Sequence, residues 1–227
     1  SMKEINITRT RVEIDVAAIE WPANATALLY DSNKGALVCR TTDPDESKEG
    51  AETSEIRIKC YTGQVIGDIG ELVLPKGMQS VNFRNTNITG VVDKLVLPEE
   101  MQTVDFGCCY GLTGAVDKVV LPEGMQAVNF TNCSGLTGNV TQLRLPESMQ
   151  SLNLSGEYGV AMKITGDLAQ LQLPVGMKDL NLYGCMKLTG TAVKRVTVRI
   201  YYLDMYRSSR KISFIPHISR IIFSHYR

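Results

Sequence analysis

The sequence has little of what enzyme active sites usually need. It contains two histidines, His217 and His225, both near its end, so a Ser-His or Cys-His nucleophile would have to recruit the last residues of the chain. No P-loop, G-x-S-x-G or H-E-x-x-H motif occurs. The glycines of Gly63–Gly70 have the wrong spacing for a dinucleotide-binding loop. We therefore predict a protein that is not an enzyme and holds neither a cofactor nor a metal ion.

Two further absences limit the expected location and partners. No run approaches eighteen apolar residues, and no apolar segment follows a basic start, so we expect neither a membrane-spanning helix nor a signal peptide. The formal net charge is zero, with 24 Lys and Arg against 24 Asp and Glu. This balance argues against binding nucleic acid through bulk charge.

The six cysteines lack the regular spacing of a metal site such as C-x-x-C, and Cys108 and Cys109 are adjacent. This pattern favours free thiols in a reducing compartment, and hence a cytoplasmic rather than a secreted protein. Asn-x-Ser/Thr triplets point the other way, because they would be glycan sites in a secreted chain. They begin at Asn6, Asn24, Asn87, Asn132, Asn139 and Asn153.

Most of the chain is one repeated segment. The stretch LVLPKGMQSVNF, which begins at Leu72, returns in changed form at Leu95, Val119, Leu143 and Leu171. One proline per copy marks the period: Pro75, Pro98, Pro122, Pro146 and Pro174 are 23, 24, 24 and 28 residues apart. Since one copy cannot bury enough apolar surface to fold alone, the copies must stack into a solenoid. We expect about six coils over residues 56–190, the first of them degenerate (Val65 to Pro75).

Each copy contains two patterns that are typical of short strands. A polar residue alternates with two apolar ones, as in Val81-Asn82-Phe83. The Leu-x-Leu before each proline alternates in the same way, and the proline should end that strand because it lacks an N–H. The Thr-Gly pair is expected at the other corner, since glycine permits a positive φ. No window has a helical period.

The copies resemble a known family. Read from its methionine, each has the form Met-x-x-Val/Leu-x-Phe/Leu, and two copies continue with Leu-Thr-Gly-x-Val, at Leu112–Val116 and Leu136–Val140. This looks like the leucine-rich repeat that ends in L-T-G-x-I-P, although methionine replaces the first leucine. The resemblance implies a mainly β, right-handed solenoid with parallel strands, little or no helix in the repeats, and ligand binding on a concave sheet.

The residues between the buried positions of the first strand form rows on that expected concave face. The candidate binding residues are Asn82, Arg84, Asp105, Asn129, Thr131, Asn153, Asp179, Asn181 and Tyr183. The middle row of Asn and Asp can be interpreted as a hydrogen-bonding groove for a peptide or glycan. The alternative, which we favour for this row, is that short polar residues only keep the sheet soluble. Recognition surfaces usually carry aromatic or Arg anchors, and this face has them only at its two ends.

Two other sets of residues recur at fixed positions in the repeat. Val73, Val96 and Val120 stand between the leucines of Leu-x-Leu and predict an exposed apolar strip on the convex face. The strip is either a docking patch or, as we favour, covered by the first sixty residues. Three cysteines, Cys109, Cys133 and Cys185, share one position of the copy. The leucine-rich repeats that the sequence resembles carry an inward Asn there, so the resemblance implies that these thiols point inward as small apolar groups.

The two ends differ in character from the repeats. Residues 1–55 read as a β-rich cap that ends in an acidic loop from Thr41 to Glu55. Residues 191–227 carry eight Lys and Arg against one acid, which leaves sixteen basic and twenty-three acidic residues elsewhere. This segment can be a capping strand or hairpin, which we favour, a basic and aromatic arm, or an aberrant terminus.

The function that these features predict is a non-enzymatic scaffold that binds a protein or peptide on the concave sheet. A structural or surface-coat repeat protein is one alternative. Self-association through the valine strip is another.

Overall fold

The computed structural model of the protein describes residues 3–41, 54–156, 159–190 and 199–201. It confirms the predicted fold class: a mainly β solenoid of about five turns with parallel sheets, and no helix of seven residues or more in the described part. The acidic loop and most of the basic C-terminal segment lie outside the described residues.

The strands, in chain order, are β1 (Lys3–Asn6), β2 (Ile14–Asp15), β3 (Ala25–Asp31), β4 (Ala36–Thr41), β5 (Ser54–Lys59), β6 (Val65–Asp68), β7 (Ser80–Asn82), β8 (Asn87–Val91), β9 (Thr103–Asp105), β10 (Gly111–Ala115), β11 (Ala127–Asn129), β12 (Gly135–Asn139), β13 (Ser151–Asn153), β14 (Lys163–Asp167), β15 (Asp179–Asn181), β16 (Lys187–Thr189) and β17 (Arg199–Tyr201). The first sheet has the order β1-β5-β4-β3-β7-β9-β11-β13-β15-β17. The second sheet has the order β16-β14-β12-β10-β8-β6-β2.

Each regular coil passes through three faces. Its first strand adds to the first sheet, its second strand adds to the second sheet, and a 3-10 turn such as Val92–Lys94 follows. The chain then runs through Leu-x-Leu-Pro to the next coil. Among the described residues no backbone hydrogen bond joins these Leu-x-Leu segments of successive coils, so the third face is not a sheet.

The expected strand at Leu-x-Leu is therefore wrong, and the second strand lies elsewhere. The Thr-Gly pair, expected at a corner, lies inside the second-sheet strand, where Gly114 has φ 101°. The Leu-x-Leu segment is held between a 3-10 turn and a proline turn, in which Met101 N donates to Pro98 O at 3.1 Å. These two turns bend the segment at both ends, and the proline has no N–H to give to a ladder.

The core consists of columns in which each coil contributes the same position. The methionine column is deeply buried, with Met78, Met101, Met125 and Met149 at 0% exposure and Met177 at 3%. Phe83, Phe106 and Phe130 form a second column, with ring centroids 6.1 and 6.0 Å apart, which leucines continue in later coils. One continuous core runs from Ile14 to Leu188.

A further coil, which the sequence analysis missed, precedes the recognised repeats. Residues 14–30 follow the path of a regular copy: β2 pairs with β6 in the second sheet and β3 pairs with β7 in the first. Ala25 N donates to Pro22 O at 2.9 Å, which is the proline turn of the repeat. Tyr30 takes the phenylalanine position and is 6% exposed.

The antiparallel strands β4 and β5 follow this first coil before the next one begins. They extend the first sheet outward, and β1 adds to β5 at the edge. The proposed boundary near residue 55 therefore runs through a sheet and a core that both sides share. At the other end, β17 pairs with β15 and continues the first sheet.

Threonine and glycine connect the coils of the second sheet. The threonine hydroxyl of one coil donates to the carbonyl of the glycine in the coil before, as Thr137 Oγ1 does to Gly114 O at 3.1 Å. The same bond recurs at Thr89, Thr113, Thr165 and Thr189. Gly114 has its positive φ here, and the space that a Cβ would fill is taken by Asp93 Oδ1. Only glycine meets both conditions.

We expect Gly114→Ala to destabilise the fold strongly. Alanine at this φ costs about 1–3 kcal/mol of backbone strain, and its Cβ also displaces the Asp93 carboxylate. Urea denaturation followed by circular dichroism measures the change. Gly77→Ala is the matched control, because nothing lies within 4 Å of its Cβ. Equal stability of the two variants would contradict this account of the second sheet.

Candidate functional site

The outward face of the first sheet carries the predicted binding residues, in rows that cross the coils. The first row is Ser80, Thr103, Ala127, Ser151 and Asp179, and all five are partly exposed. Thr103 Oγ1 donates to Ser80 Oγ at 2.8 Å, so neighbouring coils are also linked on their surface. The strands pair in register, which places these side chains in a straight line.

The middle row of Asn and Asp forms a turn in each of the five coils that carry it. Asn82 Oδ1 accepts the N–H of Arg84 at 3.0 Å, and Asp105 Oδ1 accepts the N–H of Gly107 at 2.8 Å. The same bond recurs at Asn129, Asn153 and Asn181, at 2.9, 3.0 and 3.1 Å. Each side chain accepts from the backbone two residues on, which ends the strand. The Oδ1 atoms that a ligand could use are thus engaged by the fold.

The third row is less exposed than the sequence analysis expected. Arg84 is exposed and Tyr183 partly exposed, but Thr131 is 1% exposed and Ser155 is fully buried. The prediction of Thr131 as a surface residue is wrong, because its short side chain lies against Asn129 of its own coil and Ser155 of the next. Its hydroxyl donates to Asn129 Oδ1 at 2.7 Å and accepts from Ser155 Oγ at 3.4 Å.

A row of glutamines, which the sequence analysis did not select, lies beside the first row. These residues follow the buried methionines and are at least partly exposed: Gln79, Gln102, Gln126 and Gln150, with Lys178 in the last coil. Lys178 Nζ donates to Gln150 Oε1 at 2.7 Å. The signal was available in the sequence, since Met-Gln recurs in four successive copies.

The structure brings the three valines together on the third face. Val73, Val96 and Val120 are 77%, 74% and 79% exposed. The expectation that the first sixty residues cover them is wrong for the described part, because those residues form a coil at the end of the stack. A shallow groove of about 960 Å³ continues beyond Val120, beside Arg144 and Gln172.

The three cysteines of the repeat point inward as predicted. Cys109, Cys133 and Cys185 are each 0% exposed, and all six cysteines of the chain are free. Their Sγ atoms donate to the carbonyls of Phe83, Phe106 and Leu154, one coil earlier, at 3.0, 3.1 and 3.2 Å. Burial raises the pKa of Cys133 and of Cys185 to about 12. The hydrogen bonds of these thiols link each coil to the one before it. Because their pKa is raised, the thiols are poor nucleophiles.

The structure uses several Asn-x-Ser/Thr triplets as turns. Asn139 Oδ1 accepts both the N–H and the hydroxyl of Thr141, at 3.0 and 2.8 Å. Asn6 is bonded to Thr8 in the same way. A further triplet, at Asn129, was missed in the sequence analysis, and it forms the same turn. Asn132 is 4% exposed, which leaves no room for a glycan on its amide in this fold.

No side-chain cluster able to hold a metal ion occurs within the described residues. Across that same part of the chain, the structure has no helix long and apolar enough to cross a membrane. Both histidines lie outside it.

We expect Asn153→Ala to cost about 1–3 kcal/mol of stability, because it leaves the N–H of buried Ser155 without its acceptor. Asn153→Asp keeps an acceptor oxygen, as Asp105 does naturally, and is the matched control. Chemical denaturation of both variants measures the difference. If aspartate destabilises as much as alanine, the turn bond is not what holds this position.

Thiol labelling tests the cysteine column. In the folded protein at pH 8, iodoacetamide should modify Cys108, the one cysteine that is partly exposed, and spare Cys109, Cys133 and Cys185. The thiolate is the reactive species, and burial keeps these three thiols protonated. Peptide mapping by mass spectrometry reads the sites, and denatured protein is the control in which all react. Rapid labelling of Cys133 in the folded state would contradict the buried column.

Comparison with protein-family models and with curated proteins found no match to this chain.

Proposed function

We propose that the protein is a non-catalytic repeat scaffold that binds a protein or peptide on the outward face of its first sheet. The supporting observation is the face itself: an in-register, partly exposed polar surface that continues from coil to coil. Repeat solenoids provide extended surfaces of this kind for binding. The buried thiols of the repeat are poor nucleophiles because their pKa is raised. No cluster of metal-binding side chains occurs in the described residues.

The residues that would recognise a partner are those that the fold does not use. The Asn and Asp of the middle row are engaged through Oδ1 in the turns. The side chains of the glutamine row and of the end residues Arg84 and Tyr183 form no such turn, whereas in the first row Thr103 already donates to Ser80. Arg84 is close to Asp105, with 3.9 Å between Nη1 and Oδ2, and together they place a charge pair at one end of the face. A partner would therefore meet glutamine amides and hydroxyls along the centre and anchor groups at the ends.

A structural role is the second candidate. One observation favours it: the repeated threonine, cysteine, asparagine and aspartate side chains bond to neighbouring backbone or to the next coil. These four sets of repeated polar groups serve the fold, so no ligand is needed to explain them. The two functions differ in whether the surface of the first sheet is sensitive to substitution.

Affinity capture with matched variants tests the proposal. Ala127→Arg places a long charged side chain in the middle of the first-sheet face without touching a turn bond. Ala115→Arg makes the same change at a partly exposed position of the second sheet. We expect the unmodified chain and Ala115→Arg to retain the same partner from a lysate of the source cells, and Ala127→Arg to lose it.

Thermal melting first establishes that both variants fold. If both variants lose the partner equally, the binding site is not specific to this face. A folded chain that retains no partner in any form would favour the structural role.

A further inference from the structure

The exposed valines belong to a larger pattern on the third face, here called the valine face. The position between the two apolar residues before each proline is filled, from the first coil to the last, by Glu20, Val73, Val96, Val120, Arg144 and Gln172. All six side chains are exposed. Glu20 and Val73 line one shallow groove together, and Val120, Arg144 and Gln172 line the other, so this column is continuous in space. Three valines are thus flanked by an acid at one end and a base at the other.

In the columns on either side of the valines, the charge of the side chains also changes sign along the solenoid. Two residues before the valine, Glu71, Lys94 and Lys118 occupy successive coils. Three residues after the valine, the next column has Lys76, Glu99 and Glu123 in the same three coils. All six side chains are exposed. The two flanks therefore carry opposite patterns of charge.

This arrangement is self-complementary. Consider a second copy that faces the first and is related to it by a two-fold axis. The axis lies in the plane of contact, runs parallel to the Leu-x-Leu segments and passes through Val96. The operation reverses the order of the coils and keeps each column opposite itself. It places Val73 against Val120 of the other copy and Glu20 against Arg144 of the other copy. In the flanks it places Glu71 against Lys118, and Lys76 against Glu123. Every charged pair away from the axis is then an attraction.

We propose that two copies of this chain associate through the valine face about this axis. Closed two-fold pairing is the commonest form of homo-oligomer, and it requires a self-complementary patch such as this one. The axis coil carries the one unfavourable feature, since Lys94 and Glu99 each face their own counterpart. Glu71 and Lys76 of the other copy lie one coil away in the same columns on one side, and Lys118 and Glu123 of the other copy lie one coil away on the other side, so the neighbouring coils neither add to this repulsion nor offset it.

The size of the face predicts a weak, reversible dimer. The five coils that overlap in this arrangement, from Glu20 to Arg144, form a stack about 24 Å tall. Across the face, seven extended residues span about 23 Å. The contact is then roughly 550 Å² per partner, below the roughly 800 Å² of a standard interface. We expect association in the micromolar range or weaker, with a dissociation constant that rises with salt because the charge pairs lie at the rim. The inference concerns a different face from the proposed binding surface and stands independently of it.

Sedimentation equilibrium of the full chain over a wide concentration range tests the association. We expect a monomer–dimer equilibrium that Val96→Gln weakens by about tenfold, since a polar group then meets its own copy at the axis. Glutamine already occupies this position in the last coil, so the variant should fold normally, which thermal melting checks. Lys163→Asn, at an exposed position of the second sheet, is the control and should leave the equilibrium unchanged.

Charge reversal tests the two-fold arrangement itself. Glu71→Lys and Lys118→Glu should each weaken the dimer by about tenfold, because the symmetry repeats each lost pair twice. The double variant restores opposite charges across the axis and should return to within about threefold of the unmodified chain. A mixture of the two single variants should form a mixed dimer more readily than either forms its own.

A chain that stays monomeric at every concentration overturns the proposal. So does a dimer that Val96→Gln leaves intact, or one that each charge reversal weakens but the double variant does not rescue. Loss of the dimer in the Lys163→Asn control would place the interface on the second sheet.

Discussion

The structure depends on the stacking of each coil on the next in register. A single copy has too few apolar side chains to offset the entropy of fixing its backbone, so each coil folds only against its neighbours. Stacking then fixes everything else: it aligns the methionine, phenylalanine and cysteine columns and sets the backbone ladders of both sheets. The surface rows are a consequence of the same register.

Polar side chains at repeated positions serve this stacking more than they serve the surface. Asparagine and aspartate end the strands of the first sheet, threonine hydroxyls bond the glycine carbonyls of the preceding coil in the second, and cysteine thiols reach the carbonyls of the preceding coil inside. The repeat is thus conspicuous in the sequence for structural reasons. Residues that break the repeat on the surface, such as Arg84, Tyr183 and Arg144, are better candidates for recognition, because no turn requires them.

The sequence predicted the architecture well where a pattern repeated without interruption. The first-sheet strands and the outward-pointing valines followed from alternation and period. It failed where one copy was degenerate or interrupted. The coil at residues 14–30 lacks the methionine and the Asn of the later copies, and strands β4 and β5 separate it from them, so only its proline and its alternation remained as signals.

The periodicity predicted that the chain is a stack of repeats, because a copy of about 24 residues cannot bury a core without its neighbours. It could not determine which segments would form sheets. Leu-x-Leu and Val-Asn-Phe alternate equally. Only the positions of the 3-10 and proline turns in three dimensions prevent Leu-x-Leu from forming a hydrogen-bonded ladder between coils. It also could not show that Thr131 is buried, or that Glu20 stands at the head of the valine column. Those facts depend on which residues of different coils meet, and that is decided by the path of the chain between the repeats.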